Sequence, residues 1–291
     1  TVPYYWIYAE HPAAQTAFLP FALFIGISMS ITAFPVLARI IQERNMTKTS
    51  LGTLAIASAA NDDVTAWCLL AVVIAIAKAG TFASALYAIG LTALYIIIMF
   101  MVVRPFLKKV GEVYANQEVI NKTFVALILL ILIISSTLTE IIGIHALFGA
   151  FMAGVVMPPS IGFRKVMMEK VEDIALVFFL PLFFAFTGLR TEIGLINSPA
   201  LWGVCLLLIT VAVAGKLGGC AVAARLVGES WKDSFTIGTL MNTRGLMELV
   251  ALNIGYEMGV LPPSIFVILV IMALVTTFMT TPLLHLVERI F

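Results

Sequence analysis

The chain has 291 residues, of which 62% are hydrophobic and only 11% are charged, and its formal net charge is +1. A soluble domain carries about 25% charged residues, so this composition excludes an ordinary water-soluble protein, and the near-neutral balance gives no sign of a nucleic-acid partner. The three cysteines all lie in apolar stretches, which is typical of reduced core residues rather than of a disulfide framework. The composition therefore predicts an all-α polytopic membrane protein.

Nine stretches are apolar and long enough to cross a lipid bilayer, which takes about 20 residues in a helix. Short linkers separate them, so we expect residues 1–291 to form one membrane transport domain. The stretches are 18–41, 50–77, 82–106, 122–139, 142–158, 172–189, 199–225, 233–256 and 264–288.

Lysine and arginine residues divide unevenly between the two ends of these spans. One side receives 13 of the 17, the other side only Lys78 and Arg190, and Lys216 and Arg244 fall inside spans. Because cytoplasmic loops are enriched in basic residues, we expect a cell-membrane protein with residue 1 outside and residue 291 in the cytoplasm. The 13 are Arg39, Arg44, Lys48, Arg104, Lys108, Lys109, Lys122, Arg164, Lys165, Lys170, Arg225, Lys232 and Arg289.

Helix-breaking residues interrupt the first and the eighth span. Pro35 lacks an amide hydrogen and crowds the preceding turn, so the first helix should unwind near Thr32 to Phe34. Gly245 interrupts the eighth span. Two interrupted spans in corresponding positions are typical of a transporter built from inverted repeats, with its site at the membrane midplane.

Five ionisable residues lie near the middle of spans: Asp62, Asp63, Lys216, Arg244 and Glu248. Each costs about 2.5–3.5 kcal/mol at the centre of a membrane helix, so such residues normally face a cavity or a partner. Arg244 and Glu248 are four residues apart on one helix face and can satisfy each other as a structural ion pair.

Asp62 and Asp63 point in different directions, because neighbours on a helix differ by about 100°. One carboxylate can therefore contact a partner while the other faces a cavity. Lys216 is the lysine buried in another span, and a lysine removed from water can lose its proton. Since a carboxylate holds a monovalent cation or a proton but not both, these three residues suit proton-coupled cation binding.

The two interrupted spans belong to units of different length. The second unit contains the Lys216 helix, a broken helix and a final helix, whereas the first contains only a broken helix and the Asp62–Asp63 helix. We therefore expect at least one further helix upstream of residue 1 in the whole protein.

Several stretches resemble the Na⁺/H⁺ exchanger superfamily, in the branch that contains plant CHX exchangers, bacterial Kef systems and NapA-type antiporters. They are "SITAFPVLARI", "NDDVTAW", "GIHALFGAFMAG", "LPLFFAFTGLRT" and "LMNTRGLMELVALNIG", and they cover most of the chain. The resemblance implies two crossed discontinuous helices beside a dimerisation domain, and hence a homodimer in the bilayer. It also implies exchange of Na⁺ or K⁺ for H⁺ by alternating access, with no enzyme activity and no cofactor.

The stretch "NDDVTAW" decides which aspartate carries which role under this resemblance. Alignment on Val64 and Trp67 places Asp63 at the family's ion-binding aspartate and Asp62 at the position before it. The resemblance then implies that Asp62 pairs with Lys216. Neighbouring glycines, Gly215, Gly218 and Gly219, are expected to let another helix approach Lys216 closely.

Other residues receive roles from the same resemblance and from their positions. Arg244 and Glu248 match the family's charged pair, which is expected to be structural. Thr32 lies just before Pro35, so we expect its hydroxyl or nearby carbonyls to line the cation site. His145 is expected to be a packed helix residue, and no motif for a resident metal is present. Relatives carry a cytoplasmic C-terminal regulatory region, which we expect to be absent from residues 1–291.

The Asp62–Lys216 pair supplies a second titrating group beside Asp63. With no cation bound, Asp62 would hold Lys216 charged, and a cation at Asp63 would favour release of the lysine proton. One cation would then exchange for two protons, so we expect electrogenic transport.

Two alternatives stay open at this point. An intramembrane aspartyl protease also buries two acids, but it carries them on separate helices, unlike the adjacent Asp62 and Asp63. An organic-anion carrier on the same fold would not explain two carboxylates near Lys216. The choice between Na⁺ and K⁺ depends on cavity size and is not decided by these residues.

Overall fold

A computed structural model describes residues 18–78, 82–114, 122–157 and 171–291, and these residues form helices joined by short turns. Arg164, Lys165, Lys170 and residues 1–17 lie outside the described residues. The helices are α1 (Phe18–Ser30), α2 (Phe34–Glu43), α3 (Ser50–Lys78), α4 (Phe82–Ile98), α5 (Arg104–Tyr114), α6 (Lys122–Ile142), α7 (Ala146–Val155), α8 (Leu180–Arg190), α9 (Pro199–Val213), α10 (Gly219–Leu226), α11 (Trp231–Met241), α12 (Leu246–Glu257) and α13 (Pro263–Ile290).

Three of the helices continue through π-helical turns, in which the backbone hydrogen bonds span five residues. Met99–Val103 joins α4 to α5, Ala175–Phe179 leads into α8, and Ala214–Gly218 joins α9 to α10. Among the described residues, seven stretches are long and apolar enough to cross a membrane by length and composition, with α1 and α2 counted together as one stretch, Phe18–Glu43. An all-α polytopic membrane fold is therefore confirmed.

The other two expected spans have shorter helices. The stretch 142–158 contains only α7, because Gly143 turns the chain with a φ of 94° and the helix begins after it. We expected His145 to be a packed residue within a helix, and this prediction is wrong. His145 precedes α7 as its N-terminal cap, and its Nδ1 accepts from the amide of Leu147 at 3.3 Å. The stretch 233–256 is divided into α11 and α12.

The described chain divides into two compact units. Unit 1 contains the residues up to Leu70 together with Leu189–Phe291, and unit 2 contains Ala71–Gly188. Unit 1 holds both broken helices, α1/α2 and α11/α12, and every ionisable residue that the sequence places inside a span. Unit 2 consists of the end of α3 and α4 to α8 up to Gly188, with α7 packed along α6 and α6 against α4.

Local sequence signals explain where the helices of unit 1 begin. Ser198 caps α9, with Pro199 in the first turn, and Ser230 caps α11, since each serine hydroxyl accepts from an amide of that turn. Pro35 lies in the first turn of α2, where the missing amide hydrogen is not needed. The helix therefore breaks at residues 31–33, directly ahead of the proline turn.

The core of unit 1 ties the two broken helices to their neighbours. Apolar residues of α2, α3, α10, α11 and α13 form one buried cluster, which comprises Leu37, Ile41, Ala55, Ala59, Ala224, Ile237, Leu240, Met241 and Leu284. Residues from both broken helices contribute, so this packing fixes the ends of the two breaks relative to each other.

Candidate cation site at the crossing of two broken helices

The two breaks of unit 1, residues 31–33 and 242–245, lie against each other, and we call this place the crossing. The amide of Ala33 donates to the carbonyl of Thr243 at 2.9 Å. The hydroxyl of Thr32 donates to the carbonyl of Met241 at 3.1 Å. Because broken helices leave backbone groups without partners inside the helix, these bonds satisfy groups of both breaks at once.

Asp62 lies between the end of α1 and Lys216. Its Oδ2 accepts from the amide of Thr32 at 2.8 Å and from Lys216 Nζ at 3.0 Å. Lys216 also donates to the carbonyl of Ser30, the last residue of α1. The two side chains are 25% and 11% exposed, so the ion pair is partly open to its surroundings.

Asp63 has a different environment from its neighbour. Its side chain is half-buried, and its Oδ1 is a buried atom with no hydrogen-bond partner. A buried carboxylate oxygen without a partner is costly, so it calls for a proton, a cation or a donor. Of the two adjacent aspartates, Asp62 is therefore hydrogen-bonded, whereas Oδ1 of Asp63 has no hydrogen-bond partner.

Arg244 does more than pair with Glu248. Its Nη1 donates to the carbonyl of Ser28 at 2.8 Å, and its Nη2 donates to the carbonyl of Met29 at 2.6 Å. Both carbonyls belong to the last turn of α1, where a cation stabilises the negative end of the helix dipole. Arg244, from the second break, therefore holds the end of the first broken helix.

Glu248 lies in the first turn of α12, and its Oε1 is 3.6 Å from Arg244 Nη1. This distance is too long for a hydrogen bond, and both carboxylate oxygens of Glu248 are buried without a hydrogen-bond partner. Both side chains of the pair are 0% exposed. The pair is closed to water, unlike Asp62 and Lys216.

Thr277 of α13 also holds the second break, and the sequence reading missed it. Its hydroxyl accepts from the amide of Arg244 at 2.9 Å and donates to the carbonyl of Arg244 at 2.7 Å. The available signal was the group of threonines in the middle of the apolar α13, since such hydroxyls need partners inside a membrane protein.

Glycine contacts near Lys216 differ from our expectation. Gly215, Gly218 and Gly219 have open space where a side chain would begin, so the prediction that they admit a close helix is wrong. The close approach is at Gly238 of α11, where a Cβ would collide with the carbonyl of Leu217. Lys216 itself lies in the π turn Ala214–Gly218, a feature that often marks functional sites.

Gly245 precedes α12 and is a second point of close approach. A Cβ at this position would lie 3.2 Å from the Cβ of Ala33 and 3.3 Å from a methyl group of Val36. The absence of a side chain therefore lets the second break lie against the first, at the residues that carry the hydrogen bonds of the crossing.

The sequence matches a known protein family over most of its length. Residues 13–286 match the family model described as "Sodium/hydrogen exchanger, transmembrane". The chain belongs to this family. Its relatives include plant CHX proteins, which confirms the expected superfamily and branch.

Three relatives show the range of the similarity. The chain is 41% identical over 280 residues to the Na(+)/H(+) antiporter NhaS4 of Synechocystis sp., a match that covers 96% of this chain and 68% of that protein. It is 41% identical over 265 residues to the Cation/H(+) antiporter 17 of Arabidopsis thaliana, covering 91% of this chain and 32% of the relative. It is 34% identical over 293 residues to the K(+)/H(+) antiporter 1 of Saccharomyces cerevisiae, covering 98% and 33%.

The chain spans about a third of the length of the plant and yeast relatives.

The names of the relatives bear on whether the protein is a transporter or an enzyme. All three relatives are named as antiporters, which are transporters and not enzymes. These names agree with the expectation of a transporter rather than an enzyme, and they give no support to the intramembrane protease.

Proposed function

We propose that the chain is the transport domain of a monovalent cation/proton antiporter, in which Asp63 binds the cation and the proton in turn. The observation that carries this proposal is the buried, unpartnered Oδ1 of Asp63. Asp62, one position away, already accepts two hydrogen bonds. Asp63 is therefore the aspartate that is free to exchange its occupant.

The names of the relatives support the substrate class. Na⁺, K⁺ and an unspecified cation all appear in those names, always together with H⁺. The proposal is accordingly exchange of Na⁺ or K⁺ for H⁺, and cation selectivity depends on the size and number of oxygen ligands at the site. An organic anion as substrate has no support from these names.

Backbone groups at the crossing complete the proposed site. Residues 31–33 and 242–245 are outside helices, and unwound backbone near a membrane midplane supplies carbonyl ligands for cations. Thr32 belongs to this proposal through its position beside Asp62. Its hydroxyl donates to Met241, and its remaining acceptor capacity is available to a cation.

The Asp62–Lys216 ion pair is proposed to provide the second proton of an electrogenic cycle. A cation at Asp63 repels the Lys216 ammonium, which favours release of the lysine proton. One cation would then exchange for two protons, and each cycle would move one charge. The partial exposure of both side chains supports a pair that can exchange protons.

Alternating access, a homodimer, and a cell-membrane location with residue 291 in the cytoplasm complete the proposal. The two broken helices of unit 1 support alternating access, because transporters with paired broken helices move one repeat against the other around a central site. The uneven distribution of basic residues supports the orientation.

Reconstitution of the full-length protein into proteoliposomes tests the function. With an imposed proton gradient and a fluorescent pH indicator, addition of Na⁺ or K⁺ should collapse the gradient. Choline, an organic cation much larger than Na⁺ or K⁺, serves as the control and should leave the gradient intact. A gradient that survives every small monovalent cation would refute the proposed exchange.

A further inference from the structure

Unit 2 contains an apolar groove, formed along α4, the π turn Met99–Val103 and the first turn of α5 on one side and along α6 on the other. Its volume is about 400 Å³, and its lining includes Leu94, Val103, Phe106, Ile134 and Leu138. We call it the unit 2 groove. All of its lining residues lie in unit 2, and none of them belongs to the crossing.

The few polar groups beside the groove are used inside the protein. The hydroxyls of Tyr95 and Ser135 are 2.5 Å apart, and Ser135 donates to the carbonyl of Gly149 at 2.6 Å. Phe148 packs against Tyr95, with ring centroids 6.2 Å apart. The groove consequently offers an occupant apolar surface and little polar recognition, which excludes an ion or a polar solute.

The groove has the length that an acyl chain needs. Its lining extends along the helix from Leu91 to Phe106, a rise of about 22 Å at 1.5 Å per residue. One leaflet of a bilayer core measures about 15 Å, half of its total thickness. Leu94, Phe106 and Ile134 are 52%, 51% and 49% exposed, so the groove opens toward the surroundings of the protein.

Basic residues lie close in the helix to one end of the groove. Arg104, Lys108 and Lys109 are exposed and lie within one helical turn of Phe106. Lys109 follows Phe106 by three residues and therefore lies on the same helix face. The first acidic residue after Phe82 is Glu112, so residues 82–112 carry a net charge of +2. Within the described part of the chain, none of the three basic residues forms an ion pair with a carboxylate.

We propose that the unit 2 groove binds an anionic phospholipid, with an acyl chain along α4 and α6 and the headgroup at Arg104, Lys108 and Lys109. The apolar lining fits the chain, and the charge at one end fits the phosphate. Basic residues next to a membrane span attract anionic lipids of the cytoplasmic leaflet, and these three belong to the side that the sequence assigns to the cytoplasm. The inference does not depend on the transport function of Asp63.

Native mass spectrometry of the full-length protein in detergent tests this site, with phosphatidylglycerol and phosphatidylcholine as probes. Phosphatidylglycerol should remain bound where phosphatidylcholine dissociates. Replacement of Arg104, Lys108 and Lys109 by Gln should weaken phosphatidylglycerol binding by about fivefold for each charge removed. The matched control replaces Lys48, Lys232 and Arg289 by Gln. These residues are also exposed basic residues of the described chain on the expected cytoplasmic side, and their loss should leave binding unchanged.

A pair of tryptophan variants tests the groove itself. Leu94 lines the groove and Ile97 does not, yet both are 52% exposed on the same helix. Leu94→Trp should displace the bound lipid, and Ile97→Trp should not. Equal binding of both lipids by the wild type, or equal loss in the two triple variants, would overturn the proposal. A Leu94→Trp protein that keeps its lipid but changes from dimer to monomer would assign the groove to a second copy of the chain instead.

Discussion

Two ion pairs beside the broken helices of unit 1 show how differently a membrane protein can place charge inside its spans. Asp62 and Lys216 are hydrogen-bonded at 3.0 Å and partly exposed, whereas Arg244 and Glu248 are 3.6 Å apart and completely buried. Lys216 and Arg244 both donate to carbonyls in the last turn of α1. Arg244 also exchanges two backbone hydrogen bonds with the hydroxyl of Thr277 in α13, which fix its position. Lys216 is held by one carboxylate and one carbonyl. We therefore propose that Arg244 belongs to the scaffold and that Lys216 belongs to the part that changes during transport.

The largest effect is expected from removing the scaffold cation. Arg244→Met leaves Glu248 buried without a counter-charge and frees the carbonyls of Ser28 and Met29, at a cost of about 3–5 kcal/mol in unfolding free energy. The matched control is Arg39→Met, because Arg39 and Glu43 form an exposed pair with the same spacing and such pairs contribute little. Thermal unfolding in detergent measures both, and equal midpoints would show that burial does not distinguish these pairs.

The role proposed for the Asp62–Lys216 ion pair predicts that the rate of transport responds to the membrane potential. Movement of one charge across 100 mV is worth about 2.3 kcal/mol, so wild-type turnover should respond to an imposed membrane potential. The double variant Asp62→Asn with Lys216→Gln should lose that response while Asp63 still exchanges a cation for one proton. Turnover measured at several potentials in proteoliposomes checks this. Wild-type turnover that is indifferent to voltage would favour one-for-one exchange at Asp63 alone.

The contact between Gly238 of α11 and the helix that carries Lys216 gives a further test. Gly238→Ala places a methyl group against the carbonyl of Leu217, and such overpacking costs about 1–3 kcal/mol. Gly218→Ala is the control, because its Cβ meets open space. Thermal unfolding should separate the two variants. If both behave like the wild type, the contact between α11 and the Lys216 helix does not constrain the protein.

The smallest effect is expected at the crossing itself. Thr32→Val removes the hydrogen bond to Met241, worth about 0.5–1.5 kcal/mol, but keeps the amide that donates to Asp62. Thr32→Ser is the control because it preserves the hydroxyl. We expect Thr32→Val to weaken the apparent cation affinity and Thr32→Ser to preserve it. An unchanged affinity in Thr32→Val would exclude the hydroxyl as a ligand and leave the nearby carbonyls.

The sequence predicted the features that depend on residue type at one position. Pro35 located the first break to within a few residues, and the charges Asp62, Asp63 and Lys216 stood out because charge is rare in membrane spans. The partners of Arg244 depend on how two distant breaks cross, so its spacing to Glu248 indicated only the local pair. The π turn at Lys216 and the open space at Gly215 follow from packing that no local pattern encodes.

Cation-dependent proton movement by Asp63→Asn in proteoliposomes tests the central claim most directly. Asp173→Asn is the matched control, since Asp173 is an exposed aspartate of the described chain. The account predicts that Asp63→Asn inserts normally but moves no protons when cation is added, and that Asp173→Asn moves them as the wild type does. Wild-type proton movement in Asp63→Asn would contradict the account.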